Sequence, residues 1–257
     1  MQCESENGLR RDVEPRVALL PSPFLGPLVW EQVAERLSGH GLRATVPDPP
    51  RAAFASPADV LDWLVRALPS AGELILVPHS NAGLYVPAIA ARRSVRGFVF
   101  VDAVLPPRDG RMRVAPDALV NRLRTSVGSD GLLPPWTSWW PEEDVAALFP
   151  DRQSRHRIEA EQRRLPLAYL TSEVDIASGW DSTPWGAYMA FGDTYADEVA
   201  DARGRGWRTA VVDGSHLQML CDPDGVAELL TEIILPWTGN RLGADQVEDL
   251  EESAGRG

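Results

Sequence analysis

Two short stretches carry residues able to do chemistry together. The first is Pro78-His-Ser-Asn-Ala-Gly83. Ser80 stands there between an apolar run, Leu74 to Val77, and a helix-like stretch, Leu84 to Arg93. A strand that turns sharply into a helix holds an apical serine on a strained backbone and presents its Oγ to a cleft. The backbone crowds on itself at such an apex and needs small neighbours; Pro78, Ala82 and Gly83 fill those places. The second stretch is Asp213-Gly-Ser-His216, a turn between an apolar run and the last helical segment. A serine hydroxyl is a poor nucleophile until a base within hydrogen-bond reach takes its proton. His216, on a loop able to swing back over Ser80, is the candidate base. The chemistry open to this pair is attack on a carbonyl. The backbone N–H of Asn81, at a helix N-terminus, would then face the oxyanion. Without that chemistry, Ser80 is a helix N-cap and His216 a surface loop residue.

Three other histidines read differently. His79 should point into the packing beside the strand and is structural. His40, in a glycine-flanked turn, faces solvent. His156 lies among arginines on a helical stretch, as a surface residue or a substrate contact. Cys221 reads as a buried small hydrophobe rather than a second nucleophile.

The elements that must position these residues follow from periodicity and punctuation. Apolar runs at 16–20 and 74–77 predict buried strands, and the segments 42–46, 97–101, 186–191 and 207–212 predict further strands. Helical spacing marks 29–37, 57–68, 84–93, 195–205 and 223–234. Ser56-Pro57 supplies an N-cap followed by proline at the first helical position. Pro87 lies inside its predicted helix and should bend it. Strand and helix alternate up to Asp102, which predicts a parallel sheet covered on both faces. From Pro106 the alternation stops for some 75 residues, with helical stretches near 116–127, 142–148 and 152–164. Trp136, Trp139 and Trp140 sit there between Pro134-Pro135 and Pro141, which predicts a loop. The alternation resumes at Trp185.

Composition sets outer limits. At 257 residues the chain fits one domain with an insertion, and its 44% apolar content is that of a globular protein. The net charge of −12 argues against nucleic acid or anionic membrane as partner. Part of that charge is the acidic run from Asp245 to Glu252, read as a solvated tail. The first 14 residues read as a polar leader with no apolar signal segment. Two cysteines make no disulfide framework, and a reducing cytoplasm is the simplest location. All 25 basic residues are arginine, which suggests a GC-rich bacterial genome. No glycine-rich phosphate loop and no ligand-spaced His/Cys set indicates a nucleotide, flavin or metal.

Taken together, the Ser80 turn, the interruption after Asp102 and the late Gly-Ser-His resemble the α/β-hydrolase family, in particular its small bacterial esterase-like members with a helical cap. The resemblance covers residues 16–238. It implies a doubly wound, mostly parallel core at 15–104 and 181–238, a helical cap or lid at 105–180, and flexible tails at 1–14 and 239–257. It places the triad acid at the end of the strand after the cap or, in a variant, at the end of the strand before it. The former lies near Tyr195, which is no acid, with Asp193 two residues early; the latter is Asp102. Asp102, Asp193 and Asp197 stay open. Pro21-Ser-Pro-Phe-Leu-Gly26 resembles the family's oxyanion loop, but Pro23 has no N–H to give, so the second donor falls to Phe24 or Leu25.

The implied activity is that of a serine hydrolase cleaving an ester or thioester through an acyl-Ser80 intermediate. Phe24, Leu25 and the three tryptophans would wall a bulky apolar or aromatic small-molecule substrate, free or bound to a carrier protein or peptide. Two alternatives use the same cleft: acyl transfer or a thioesterase-like step in natural-product biosynthesis, and a non-hydrolytic cyclase or isomerase.

Overall fold

The computed structural model describes residues 15–238. The leader, Cys3 and the acidic run lie outside them.

Among the described residues eight strands are formed: β1 (Arg16–Leu20), β2 (Ala44–Thr45), β3 (Leu74–Ser80), β4 (Val95–Ala103), β5 (Gly110–Arg113), β6 (Glu173–Ile176), β7 (Trp185–Phe191) and β8 (Arg208–Val212). Six of them make one sheet in the order β2-β1-β3-β4-β7-β8, and every neighbour pair is parallel. β3 and β4 lie at its centre. All seven residues of β3 are buried, which is why it reads as an unbroken apolar run rather than an alternating one.

The strand does not stop at Pro78, as its sequence predicts; it continues to Ser80. Pro78 sits opposite Leu20, the last register pair with β1, so the missing N–H falls where that ladder ends. The register with β4 then shifts between His79 and Ser80, and Val104 N–H donates to Ser80 O over 3.1 Å.

Helices α1 (Glu31–Gly39), α2 (Pro57–Ala67) and α3 (Val86–Ala90) connect the first strands. The capping box of Ser56 and Asp59 starts α2. The single helix predicted at 84–93 is instead a 3₁₀ turn at Asn81–Tyr85 followed by α3. Pro87 therefore stands in the first turn of α3, where its missing N–H has no partner to lose, and it bends nothing. On the far side, α8 (Ala196–Gly204), α9 (Gln218–Cys221) and α10 (Pro223–Ile234) complete the alternation, after α4 to α7 in the insertion.

Between β4 and β7 lie α4 (Asp117–Leu123), α5 (Glu142–Ala146), α6 (Arg152–Glu161) and α7 (Leu167–Leu170). This stretch also holds an unpredicted two-stranded antiparallel sheet, β5 with β6. Its strands are four residues long and alternate charged with uncharged residues, so no apolar run marks them. Opposite charges face each other across it, Arg111 on Asp175 and Arg113 on Glu173. The pair clamps the two ends of the insertion together.

Candidate active site

Ser80 ends β3 with φ 56° and ψ −128°. Among the described residues, the only other non-glycine with positive φ is Asp102, at 42°. Each such residue costs on the order of 1–3 kcal/mol and persists only where its surroundings over-determine it. The small residues around the apex have a visible cause: a Cβ on Gly83 would lie 2.1 Å from the carbonyl oxygen of Val104.

His216 stands on the loop after β8. Its Nδ1 lies 2.6 Å from Asp102 Oδ2, and Phe191 N–H donates to Asp102 Oδ1 over 2.9 Å. The carboxylate is fully buried, so these donors replace its water. A proton on Nδ1 leaves Nε2 as the free acceptor, the tautomer a base needs. Asp193 and Asp197 are exposed and make no bond to His216. The partner of His216 is therefore Asp102. Asp193 stands exposed on the loop after β7, while Asp102, with its positive φ near the end of β4, is buried beside the imidazole.

His79 is structural, as its sequence predicts, and its contact is specific. Its Nε2–H donates to the backbone oxygen of His216 over 2.9 Å, and the two rings lie 4.5 Å apart. Burial, then the neighbouring His216, holds the His79 pKa well below the ordinary 6.5. A neutral His79 thus supports the loop that carries His216. His40 is exposed and bonds Thr231 Oγ1 at 2.9 Å, and His156 is exposed on α6. Cys221 is exposed too, contrary to the apolar context of its sequence: α9 is one turn long and turns Met219 and Leu220 inward instead.

Two backbone donors flank Ser80. Leu25 N–H is committed to Ser22 O at 3.1 Å. Phe24 N–H and Asn81 N–H have no hydrogen-bond partner among the described residues, and both residues line the cavity beside Ser80. The loop can therefore offer a second donor despite Pro23. The Asn81 side chain is held from the insertion: Tyr169 O–H donates to Asn81 Oδ1 at 2.7 Å, and Asn81 Nδ2 donates to Val114 O at 3.1 Å. Because the Tyr169 proton is spent on Asn81, Tyr85 O–H donates to Tyr169 across 2.5 Å. Burial raises both phenol pKa values, so both keep their protons.

The cavity over Ser80 holds about 520 Å³. Phe24, Trp136, Trp139, Trp140, Val114 and Leu119 supply its apolar wall, and Asp144 and Glu198 are its carboxylates. Burial raises the Glu198 pKa. Trp140 lies on a loop, as its sequence predicts, but Trp136 and Trp139 do not. Trp136–Trp139 is a 3₁₀ turn, and its three-residue period puts Trp136 and Trp139 on one face. Trp139 meets Phe24 edge-on at 5.0 Å, and Trp136 lies over His216 at 5.8 Å. Leu25 is fully buried in the core and does not line the cavity, because its turn points it inward. Nothing in the sequence marks Tyr195, Tyr169 or Glu198 as site residues. Tyr195 registers in the sequence only as a non-acid at the expected acid position.

No protein-family model matches the chain, and no curated protein matches it. Solved structures do. An extracellular α/β-hydrolase from a Paenibacillus species is 16% identical, covering 85% of this chain and 99% of its own, with a TM-score of 0.64. A pyrethroid hydrolase from Sphingobium faniae is also 16% identical, covering 85% and 96%, with a TM-score of 0.62. Tomato methylketone synthase I in complex with 2-tridecanone is 15% identical, covering 88% and 99%, with a TM-score of 0.61. The chain has the α/β-hydrolase fold. Among the described residues, no helix is long and apolar enough to cross a membrane.

Proposed function

We propose that this chain is a serine hydrolase that cleaves a carboxylic ester of a bulky apolar or aromatic acid through an acyl-Ser80 intermediate. The observation that carries the reading is the convergence of two strained residues on one histidine. Ser80 and Asp102, at φ 56° and 42°, end adjacent strands, and His216 lines the cavity of the first while bonding the second. In the reaction, His216 Nε2 takes the Ser80 proton as Oγ attacks the carbonyl carbon. Asn81 and Phe24 N–H hold the oxyanion. His216 then protonates the leaving oxygen, and a water activated by the same nitrogen clears the acyl group. Residues 105–180 act as the cap, with Trp136, Trp139 and Trp140 gripping the acyl side chain.

The cavity lining favours an ester over a carrier-bound thioester. It holds Asp144 and Glu198 and no arginine, which suits a neutral or cationic substrate and opposes a phosphate-bearing carrier. The fold neighbours named for a pyrethroid hydrolase and a polyneuridine aldehyde esterase are consistent with hydrolysis of small molecules. A second reading, acyl transfer, draws on the tryptophan-rich wall, which would keep water from the acyl group. An acyl-enzyme that persists in water and discharges only to an added alcohol or amine would select it. The hydrolase itself is tested with a fluorophosphonate probe. We expect one adduct per chain, on Ser80, and none on Ser80→Ala; unlabelled wild type with esterase activity surviving in Ser80→Ala would overturn the reading.

A further inference from the structure

Asp102 fills the acid position beside His216, which leaves Tyr195 facing the reaction with nothing assigned to it. Tyr195 follows β7 and immediately precedes α8. Its ring stacks on His216, with centroids 5.8 Å apart and planes 22° from parallel. Its hydroxyl is turned toward the Ser80 hydroxyl and borders the cavity.

The sheet order decides which side of the substrate this phenol meets. β1, which leads into Phe24, lies on one side of β3; β4 and β7 lie on the other. A carbonyl attached to Ser80 with its oxygen toward Phe24 and Asn81 N–H turns its leaving group the opposite way. That direction holds His216 and, stacked upon it, Tyr195. Burial, then the Asp102 charge, raises the phenol pKa, so the group keeps its proton and has it to donate.

We propose that Tyr195 O–H donates a hydrogen bond to the leaving-group oxygen of the ester as it departs from acyl-Ser80. The inference rests on the acyl-Ser80 reading. As the tetrahedral intermediate collapses, the bond from carbon to the leaving oxygen breaks and its electron pair goes to that oxygen. His216 Nε2–H transfers its proton there, and Tyr195 keeps its own. Two donors thus share the developing charge on one oxygen.

The benefit of the second donor grows with the basicity of that oxygen. A hydrogen bond to a charged group supports a loss of about ten- to a hundredfold on its removal. We expect Tyr195→Phe to lower kcat/KM by that factor for an alkyl ester, and by about threefold or less for the 4-nitrophenyl ester of the same acid. A plot of log kcat/KM against leaving-group pKa should be steeper for the variant. Phenylalanine retains the stack on His216, and fluorophosphonate labelling of the variant at the wild-type rate shows that Ser80 and His216 remain competent. Parallel plots, with every ester slowed by one factor or none, would overturn the role of Tyr195 while leaving acyl-Ser80 intact. Failure of the wild type to label at Ser80 would overturn acyl-Ser80 itself, and this inference with it.

Discussion

Replacing Asp102 by asparagine changes almost no volume and should still disable the site. The reason lies in the two bonds the carboxylate makes. Oδ1 accepts from Phe191 N–H at 2.9 Å, and Oδ2 faces His216 Nδ1 at 2.6 Å. An asparagine can satisfy Phe191 N–H only with its amide oxygen, since turning the NH₂ that way sets donor against donor. The NH₂ then faces His216 and donates to Nδ1. The imidazole proton moves to Nε2, and the atom that must accept the Ser80 proton no longer can. In triads of this arrangement that tautomer change costs about 10⁴ in kcat, which is about 5–6 kcal/mol of barrier at about 1.4 kcal/mol per tenfold. Asp193 is exposed and makes no hydrogen bond to His216, so Asp193→Asn should stay within about twofold of wild type, as surface changes do. The assay is steady-state cleavage of an activated aryl ester, with melting curves to show that both variants fold. A loss below about tenfold for Asp102→Asn would refute the reasoning, as would a larger loss for Asp193→Asn.

Three further outcomes follow from the same contacts. Gly83→Ala places a Cβ 2.1 Å from the Val104 oxygen, in the turn that also bonds Val104 N–H to Ser80 O. The expected cost is about 1–3 kcal/mol, read as a lower Tm together with a lower kcat; an unchanged Tm would mean the turn has room. His79 is held neutral, its folded pKa below the ordinary 6.5, so under that pH the unfolded chain binds a proton that the folded chain refuses. Stability from this source is therefore full above pH 6.5 and falls below it, by up to about 1.4 kcal/mol per pH unit. Denaturant melts of wild type and His79→Phe from pH 8 to 5 should show the flatter acid limb in the variant. Trp140 is half-buried in the cavity wall, so Trp140→Ala should cut kcat/KM about tenfold for bulky aromatic acyl esters and leave acetyl esters nearly unchanged; equal losses on both would remove Trp140 from substrate selection.

The parts of the fold that sequence reveals are those whose signal is a continuous apolar run. β1, β3, β4 and β7 are legible because burial on both faces demands such runs; β8, a half-exposed edge strand, carries a weaker signal. β5 and β6 are not, because they are short and their apolar residues Met112, Val174 and Ile176 alternate with charged or small ones instead of forming a run. Ser80 and His216 are legible from their turns. The choice between Asp102 and Asp193 is not, since it depends on which loop end the sheet order and a positive φ turn toward the imidazole. Spacing along the chain carries neither. Leu25 and Phe24 differ in role for a similar reason: one turn sends the first into the core and the second into the cavity. Tyr195 shows the converse, a residue whose importance rests on a stack with His216 that no local pattern encodes.

Catalysis through acyl-Ser80 requires a transient ester bond on that serine. Intact-mass spectrometry of the wild-type enzyme, acid-quenched during turnover of an activated aromatic ester, tests it most directly. We expect a single added acyl mass that maps to the peptide containing Ser80, appears before steady state, and is absent from Ser80→Ala. Turnover with no acyl adduct, or an adduct on any other residue, would contradict it.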